Sequence, residues 1–278
     1  MSTTITIHVT ALAPIAHGSM DGGDIGNAVA VRRLAVVGLP GMPRVPVISG
    51  NSVRGQLRRI LMRDLLDLCG LSRETVAPRA WDRIYASLVN GGHLSGKGDT
   101  RVDPQAIREL REALPALSLL GCAMYSHMIE GRMYSGWLWP VCSETLAAGL
   151  VSPREGVPVV AAEDLVIETS LVRHIEREQH DPAVSEVTPM PVTMEAIGPG
   201  AVLQAKLDCR GTPLEASCLA WGLSRISVLG GKSGAGMGTV RVEHDGDPAA
   251  YDAWRAGDLT AAKAALAGLV EKLGKAAK

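Results

Sequence analysis

The sequence predicts an α+β fold, since patterns typical of strands and of helices both occur but do not alternate regularly. Residues 4–11 alternate apolar and polar side chains with a period of two, as in a strand with one buried face. Apolar residues between Val53 and Leu68 recur instead at the spacing of an amphipathic helix. The predicted order is strand, helix, helical insertion, strand, protrusion, two strands, helix and strand. That order fits a ferredoxin-like β-α-β-β-α-β core with large insertions.

The first helix follows a change of pattern along the chain. Before it come a Gly-rich stretch at 17–27, a possible strand within 28–37 and a short extended run at 45–49. The Gly-Asn pair at 50–51 has the composition of a turn, and Gly70 is suited to end the helix. The apolar face of this helix is formed by Val53, Leu57, Ile60, Leu61, Leu65 and Leu68.

The middle of the chain is predicted to carry two insertions. Residues 73–120 have mostly helical patterns with a loop at 90–99, and residues 132–141 have a strand pattern. From 154 to 191 the chain is charged and interrupted by proline, which indicates a loop or protruding hairpin rather than core. The predicted division of the chain is a core of 1–72 and 121–250, a helical insertion of 73–120 and a C-terminal helix within 251–278.

The last third is predicted to contain two strands, a capped helix and a further strand. Strand patterns at 190–197 and 201–209 are separated by a Gly-Pro-Gly turn. Thr212 and Glu215 have the spacing of a capping box, and Pro213 suits the first helical position. A Gly-rich loop after this helix leads into the last strand.

Composition argues against several classes of protein. The five Cys residues of the 278-residue chain are scattered without a CxxC pair, so neither a disulfide framework nor a structural zinc site is expected. No run reaches the ~18 apolar residues of a membrane span, and the N-terminus lacks the pattern of a secretion signal. We therefore expect a cytoplasmic protein without membrane contact. With no Phe and 3% aromatic residues, a bound nucleic-acid strand would be held mainly by charge and backbone amides.

The net charge of −1 conceals a basic segment. Residues 25–62 contain no Asp or Glu, and Arg63 follows directly. The arginines within that range are Arg32, Arg33, Arg44, Arg54, Arg58 and Arg59. Such segregation can focus positive potential on one face of a nearly neutral protein. An ordinary solvated helix face is the alternative for these charges.

The strongest local signal is VPVISGNSVRGQLRR at 45–59. An extended run, a turn and a helix opening with Arg54 create an anion site, because the free N–H groups of a first helical turn favour negative charge. Ser49, Asn51 and Ser52 add hydrogen-bond donors. Capping by Asn51 or Ser52 is the alternative, and it would account for one such residue but not for the arginines.

The second signal is LGGKSGAGMG at 229–238, which is not a P-loop. Ile226 stands where that motif needs glycine, and the loop precedes a strand instead of a helix. Its amides and Lys232 can lie against a phosphodiester backbone. A glycine-rich hairpin connection is the alternative.

No catalytic constellation emerges from the sequence. The GxSxG pattern is absent and the histidines are dispersed. Asp21 and Asp24 lie in the first Gly-rich loop, where a backbone can approach closely, but loop aspartates usually form turns. The charges around Arg173 have both signs, as in a solvated loop.

Taken together, these parts resemble the RAMP superfamily of CRISPR-associated proteins over most of the chain. The anchors are ISGNSVRGQLRR at 48–59, similar to a "PGSSLKGALR"-like segment of that family, and the GGKSGAGMG loop. Within the superfamily the chain resembles the backbone subunit that polymerises along guide RNA. The spelling GNAVAVRR at 26–33, together with the first anchor, looks most like the type IV version.

The resemblance implies an RRM-like core, a thumb at about 172–191 and binding of crRNA through its phosphates. Implied partners are neighbouring copies of the chain in a helical filament, other CRISPR effector subunits and complementary target nucleic acid, with no cofactor or metal. The implied RNA-binding residues are Asn27, Arg32, Arg33, Ser49, Asn51, Ser52, Arg54, Arg58, Arg173, His174, Arg177, Gly230, Gly231, Lys232, Ser233 and Gly234.

Type III relatives carry a catalytic Asp in the loop after the first strand. Asp24 stands near that place, but GGDIGNAVAV differs from the usual spelling, so no catalysis is expected. The alternative is a metal-dependent endoribonuclease that cuts target RNA at six-nucleotide spacing through Asp24, or one that processes the guide through His17. A nucleotide-binding protein that uses the GGKSG loop is a third hypothesis, which the broken P-loop spacing disfavours.

Overall fold

A computed structural model describes residues 2–18, 30–92, 104–124, 127–171 and 192–275. The strands are β1 (Thr3–Ala11), β2 (Arg33–Ala35), β3 (Arg44–Pro46), β4 (Cys122–Met124), β5 (His127–Ile129), β6 (Met133–Ser135), β7 (Trp139–Pro140), β8 (Val166–Leu171), β9 (Val192–Ile197), β10 (Val202–Cys209) and β11 (Val240–His244). The helices are α1 (Gly50–Leu68), α2 (Pro78–Leu88), α3 (Pro104–Ala113), α4 (Pro115–Leu120), α5 (Ser143–Ala147), α6 (Pro213–Leu223), α7 (Ala249–Ala256) and α8 (Thr260–Lys275).

The central sheet is antiparallel, with strands in the order β11, β1, β10 and β6, and β7 also pairs with β10. In β1, Ile5, Ile7 and Val9 are buried and alternate with more exposed polar residues. Ala205 of β10 lies opposite Ile7, so both strands present apolar side chains to the same face. The strand predicted over 4–11 is confirmed, and the fold is α+β.

Helices α1 and α6 contribute to the same core as this apolar face. Leu57 and Leu61 of α1 are fully buried, and Gly222 of α6 lets the two helices approach, since a Cβ there would lie 2.9 Å from a methyl group of Leu57. Gly70 follows the end of α1 with a φ of +70°, so the predicted end of the helix is confirmed.

The predicted capping box starts α6. The Thr212 hydroxyl accepts a hydrogen bond from the Glu215 N–H at 3.2 Å, and the Glu215 carboxylate accepts one from the Thr212 N–H at 2.8 Å. Glu215 is buried and also pairs with Arg132 at 3.1 Å. Glu215 therefore completes the capping box and also links α6 to Arg132, the residue before β6.

The helical insertion packs against the C-terminal helices, because α8 contacts both α2 and α3. The sequence predicts a C-terminal helix within 251–278, and α8 occupies most of the second part of that range. The preceding helix α7 was missed. It buries Tyr251 in the core. Residues 257–259 separate it from α8, and the Asp258 carboxylate accepts a hydrogen bond from the Thr260 N–H at 2.9 Å.

The single strand predicted over 132–141 is wrong, since this segment forms β6 and β7 with a break between them. Leu138, within the break, pairs with Ile48 instead of the sheet. The chain thus leaves the sheet at the point where it contacts the residues preceding α1. Among the described helices, none combines the length and apolarity that a membrane crossing needs.

Three two-stranded sheets lie beside the central sheet in the described part of the chain, one of them formed by β4 and β5. Strand β2 pairs with β3, so the strand proposed within 28–37 covers only three residues of the described part. Strand β8 pairs with β9 in register from Val166 opposite Ile197 to Leu171 opposite Val192. The predicted thumb at 172–191 lies outside the described residues.

Removal of the Thr212 hydroxyl tests the capping box. We expect Thr212→Ala to lower the free energy of unfolding by about 1 kcal/mol, since the Glu215 N–H loses its acceptor. Urea unfolding measures this loss, and Thr212→Ser, which keeps the hydroxyl, is the control. Equal destabilisation by both variants would show that the hydroxyl has no capping role.

Candidate nucleic-acid interface

Three segments that are distant in sequence meet at the start of α1. The first follows β1, where the Ala16 carbonyl accepts a hydrogen bond from the Gly231 N–H at 2.8 Å. His17, the next residue, accepts one at Nε2 from the Ser49 N–H at 3.1 Å. The His17 carbonyl in turn accepts from the Arg32 N–H at 2.8 Å. The loop after β1, the start of α1 and the Gly-rich loop therefore form one surface.

The first turn of α1 is left open to an anion. Ser49 is the N-cap residue, and its side chain makes no capping hydrogen bond. Asn51 and Ser52 lie inside the helix, so the expectation that one of them caps it is wrong. No acidic side chain lies in this turn, and Asn51 is exposed. The positive end of the helix dipole is thus not neutralised locally.

Gly50 is required by the close approach of another segment. A Cβ at this position would lie 2.5 Å from the Ser135 carbonyl oxygen and 2.7 Å from that of Gly136. The sequence predicted a turn at 50–51, whereas the structure begins the helix there. The small residue brings the helix start against the end of β6.

His17 is held as a neutral acceptor. Burial, and next the positive charge of Arg32, lower the pKa of His17 below its usual 6.5. The neutral ring accepts the Ser49 N–H at Nε2, which assigns the proton to Nδ1. From the sequence, His17 is a candidate only for guide processing. Its capping partner is 32 residues away, and no local pattern indicates that contact.

Arg54 and Arg58 bind backbone carbonyls at the end of α4. The Leu120 oxygen accepts from Arg54 Nη2 at 2.8 Å and from Arg58 Nη2 at 2.7 Å, so two guanidinium groups share one carbonyl. Arg54 also binds the Met133 oxygen at 3.2 Å, and Arg58 binds that of Gly121 at 2.7 Å. These arginines satisfy carbonyls that the short helix leaves free.

The positive charge of this pair is not balanced by a carboxylate among the described residues. Burial, and next the nearby positive charge of Arg54, lower the pKa of Arg58 below its usual value, since both disfavour a second charged guanidinium here. Both side chains line a cleft of about 270 Å³ whose wall is completed by Val89 and Asn90. The other lining residues are Asn51, Gly55 and Arg59.

Arg32 and Arg33, both predicted to bind RNA, have different environments. Arg33 forms a two-pronged ion pair with Glu195 of β9, at 2.6 and 3.0 Å. Hydrogen bonds from Arg33, more than any other cause, lower the pKa of the Glu195 carboxyl. Arg32 lies over the Trp137 ring at 5.9 Å and is partly exposed. Arg32 thus stays close to the shared surface, whereas the charge of Arg33 is neutralised.

The Gly-rich loop is exposed from residue 231 to residue 236, a range that includes Ser233 and Gly234. Gly230 has a φ of +84°, and a Cβ there would lie 2.5 Å from the Ala16 carbonyl oxygen. Lys232 itself has a left-handed φ of +62° and an exposed side chain. The loop places one cation beside the segment that follows β1.

Some predicted residues lie outside the described part of the chain: Asn27, Arg173, His174 and Arg177, and also Asp21 and Asp24. Within the described part, no group of three or more His, Cys, Asp or Glu side chains is placed to share a metal ion. The cleft residues Gly55 and Asn90 were not predicted as site residues, and Arg59 was expected only to add positive charge near the helix start. The spacing of positions 51, 55 and 59 along a helix was the available signal, since residues four apart share a face.

No protein-family model matches the sequence, and no curated protein matches it. Among solved structures, a chain of a "Type IV-B CRISPR Complex" is similar with a TM-score of 0.57 and 19% identity, over 87% of this chain and 90% of that chain. This likeness shows a shared fold. The predicted resemblance to the type IV version is confirmed at the level of the fold.

Two other similarities are weaker. A chain of the "Type III-B Cmr-beta bound to cognate target RNA" matches with a TM-score of 0.44 and 11% identity, over 88% of this chain and 61% of that chain. "Thermofilum pendens Csc2" matches with a TM-score of 0.38 and 18% identity, over 98% and 76%. TM-scores this low carry no functional argument.

Substitution of Arg58 tests whether the guanidinium pair stabilises the fold. We expect Arg58→Ala to lower the free energy of unfolding by about 1–3 kcal/mol, because three partly buried carbonyls lose a charged donor. Urea unfolding gives the value. The exposed neighbour Arg59 is the control, and Arg59→Ala should change stability by no more than about 0.5 kcal/mol. Equal stability of both variants would contradict a structural role.

The capping contact of His17 predicts a pH dependence. Protonation makes both ring nitrogens donors, so the Ser49 N–H loses its acceptor and positive charge reaches the positive end of α1. Because the pKa of His17 is lowered in the folded state, this contribution is present above pH 6.5 and is lost as the pH falls below it.

Urea midpoints at about pH 7.5 and about pH 5.5 measure this dependence, since the two conditions lie on either side of the usual histidine pKa. His17→Gln keeps an acceptor that does not titrate, so its midpoint should fall less than that of the wild type. His8, whose pKa is also lowered, first by burial, contributes equally to both proteins. Identical losses would show that His17 is not the titrating group.

Proposed function

We propose that this chain, with the fold of a type IV-B CRISPR complex chain, is a backbone subunit of a CRISPR effector complex. It binds crRNA through the phosphates and assembles with copies of itself along the guide. The observation that carries the proposal is the meeting of the loop after β1, the open first turn of α1 and the exposed Gly-rich loop, through the contacts of Ala16 and His17. Each of these segments can bind an anion.

We also propose that β1, α1, β6, β10, α6 and β11 form a ferredoxin-like, RRM-like core. The chain order of these elements and the strand order β11-β1-β10-β6 support this assignment. RRM domains stack RNA bases on aromatic residues of the open sheet face. Here Ser152 and Arg154 cover part of that face by binding Gln204 and Glu243. RNA therefore binds at the edge of the core that is formed by the loops and the start of α1.

Binding at this edge is governed by charge and main-chain geometry. Phosphate contacts of this kind carry no sequence information, and they leave the bases free to pair with a target strand. Binding should then be insensitive to RNA sequence and weaken steeply with salt. A subunit that binds guides of any sequence requires the first property, and the second follows from phosphate contacts.

Assembly along the guide requires a contact that reaches the next copy. We propose that residues 172–191 are the thumb that makes it, with Arg173, His174 and Arg177 as its polar contacts. The antiparallel ladder of β8 and β9 supports this, since its last pair, Leu171 and Val192, directly flanks the segment. Other effector subunits and a complementary target strand complete the proposed set of partners.

The proposed role is binding without catalysis. An RNA-cleavage assay with added Mg²⁺ tests it, using the wild type and Asp24→Asn. We expect neither protein to cut a target RNA complementary to the bound guide. Metal-dependent cleavage at six-nucleotide spacing that is lost in Asp24→Asn would overturn this part of the proposal and favour the endoribonuclease.

Purification at low salt tests the main proposal. The protein should elute as large particles that contain RNA, as judged by size exclusion, the absorbance ratio and a denaturing gel. A nucleic-acid-free monomer that does not bind added RNA would contradict the proposed function.

The contribution of the Gly-rich loop is measured on RNA-free protein by fluorescence anisotropy with a labelled uridine homopolymer. Lys232→Ala should weaken binding and reduce the magnitude of the salt slope by about 0.7, the value for one lost phosphate contact on a single strand. Lys263→Ala removes an equally exposed charge from α8 and should leave the slope unchanged. Equal slopes for both variants would exclude Lys232 from the interface.

A further inference from the structure

One face of α1 forms the floor of the cleft described above. Asn51, Gly55 and Arg59 follow one another at intervals of four residues, and Arg54 and Arg58 lie between them on the same face. The opposite wall is Val89 and Asn90, which directly follow α2 of the helical insertion.

The polar side chains of this cleft are available for a ligand. Among the described residues, the side chains of Asn51, Arg59 and Asn90 make no hydrogen bond or ion pair, and all three residues are exposed. Arg54 and Arg58 lie beside them with no carboxylate partner in the described chain. The lining thus contains three positive charges and no negative one, with Val89 as its main apolar contribution.

We propose that this cleft binds a phosphodiester of the guide strand, with Asn51, Arg59 and Asn90 as its ligands and Gly55 as its floor. The inference rests on the proposed function, and it adds that the helical insertion takes part in guide binding through Asn90. Arg54 and Arg58 act differently. Their N–H groups are bound to carbonyls, so they contribute positive charge to the cleft while they hold its walls together.

A phosphodiester fits this site better than other ligands. Its two unesterified oxygens can accept hydrogen bonds from both walls at once, and a guanidinium is suited to that geometry. An apolar ligand would leave the Arg59 guanidinium and the amides of Asn51 and Asn90 without partners. The first turn of α1, in which the Ser49 side chain makes no capping hydrogen bond, lies at the end of the cleft marked by Asn51 and adds to the positive potential.

Gly55 offers a direct steric test. It lies inside α1, where glycine is less favourable than alanine, and a Cβ there would meet no protein atom within 4 Å. A larger side chain therefore fits without disturbing the protein, but it occupies the cleft. Gly268 of α8 is the control, since it is also helical and free of neighbours within 4 Å of a Cβ, and it is exposed.

The experiment measures binding of a labelled uridine homopolymer by fluorescence anisotropy, together with thermal unfolding of each variant. Arg59→Gln should weaken binding roughly tenfold, the effect of losing a hydrogen bond to a charged group. Gly55→Leu, which fills the cleft, should weaken binding at least as much. Asn90→Ala should weaken it by a smaller factor. Gly268→Leu should bind as the wild type does. Arg63→Gln, which removes an exposed arginine from α1 outside the cleft, should also bind normally.

The outcomes separate this inference from the proposed function. Normal RNA binding by Gly55→Leu, Arg59→Gln and Asn90→Ala overturns the cleft as a guide site and leaves the proposed function intact. No RNA binding by the wild type overturns both. If Gly55→Leu unfolds, Arg59→Gln and Asn90→Ala decide. Wild-type binding of uridine monophosphate that Gly55→Leu abolishes, with RNA binding unchanged, would assign the cleft to a free nucleotide instead of the guide.

Discussion

The guanidinium groups of Arg54 and Arg58 share the Leu120 carbonyl oxygen, and this contact holds the central part of the fold to the helical insertion. They join α1, which packs on the central sheet, to the end of α4, which belongs to the helical insertion. The contact requires small residues nearby: a Cβ at Gly131 would lie 2.7 Å from Arg54 Nη2. It also requires that two like charges stay close together without a carboxylate among the described residues. An anion outside the protein would relieve that repulsion.

The arginines of the basic segment at 25–62 therefore have different structural roles. Arg33 is neutralised by Glu195 and links the start of β2 to β9. Arg54 and Arg58 satisfy carbonyls, and the exposed Arg59 remains free to meet a ligand. A run of arginines in a sequence indicates positive potential, but the energetic role of each one depends on its partners. Only the free charges can release counterions when RNA binds.

The edge of the core, rather than the open face of the sheet, has the properties of a backbone-reading surface. The described part of the open sheet face has one exposed aromatic residue, Tyr134, and Arg210 lies over its ring at 4.1 Å. The edge instead offers main-chain N–H groups at the start of α1, a glycine loop and cations. Such groups can bind the phosphates that all nucleotides have in common, as the proposed function requires.

Much of the fold follows from local patterns. The period of two in β1, the apolar spacing and terminal glycine of α1, and the capping box of α6 are all confirmed, because each depends on residues within a few positions of one another. The chain folds them in the predicted order. The three segments of the candidate site were also identifiable from their composition.

The sequence by itself determined these elements and the glycine- and arginine-rich character of the site. The tertiary structure decided which groups remain free. Arg33 meets Glu195 across 162 residues, Arg58 meets Leu120 across 62, and His17 meets Ser49 across 32. Helix α7 and the break between β6 and β7 also depend on distant partners. Periodicity indicates which face of a helix or strand is buried. The hydrogen-bond partner of a polar side chain depends instead on how the whole chain packs.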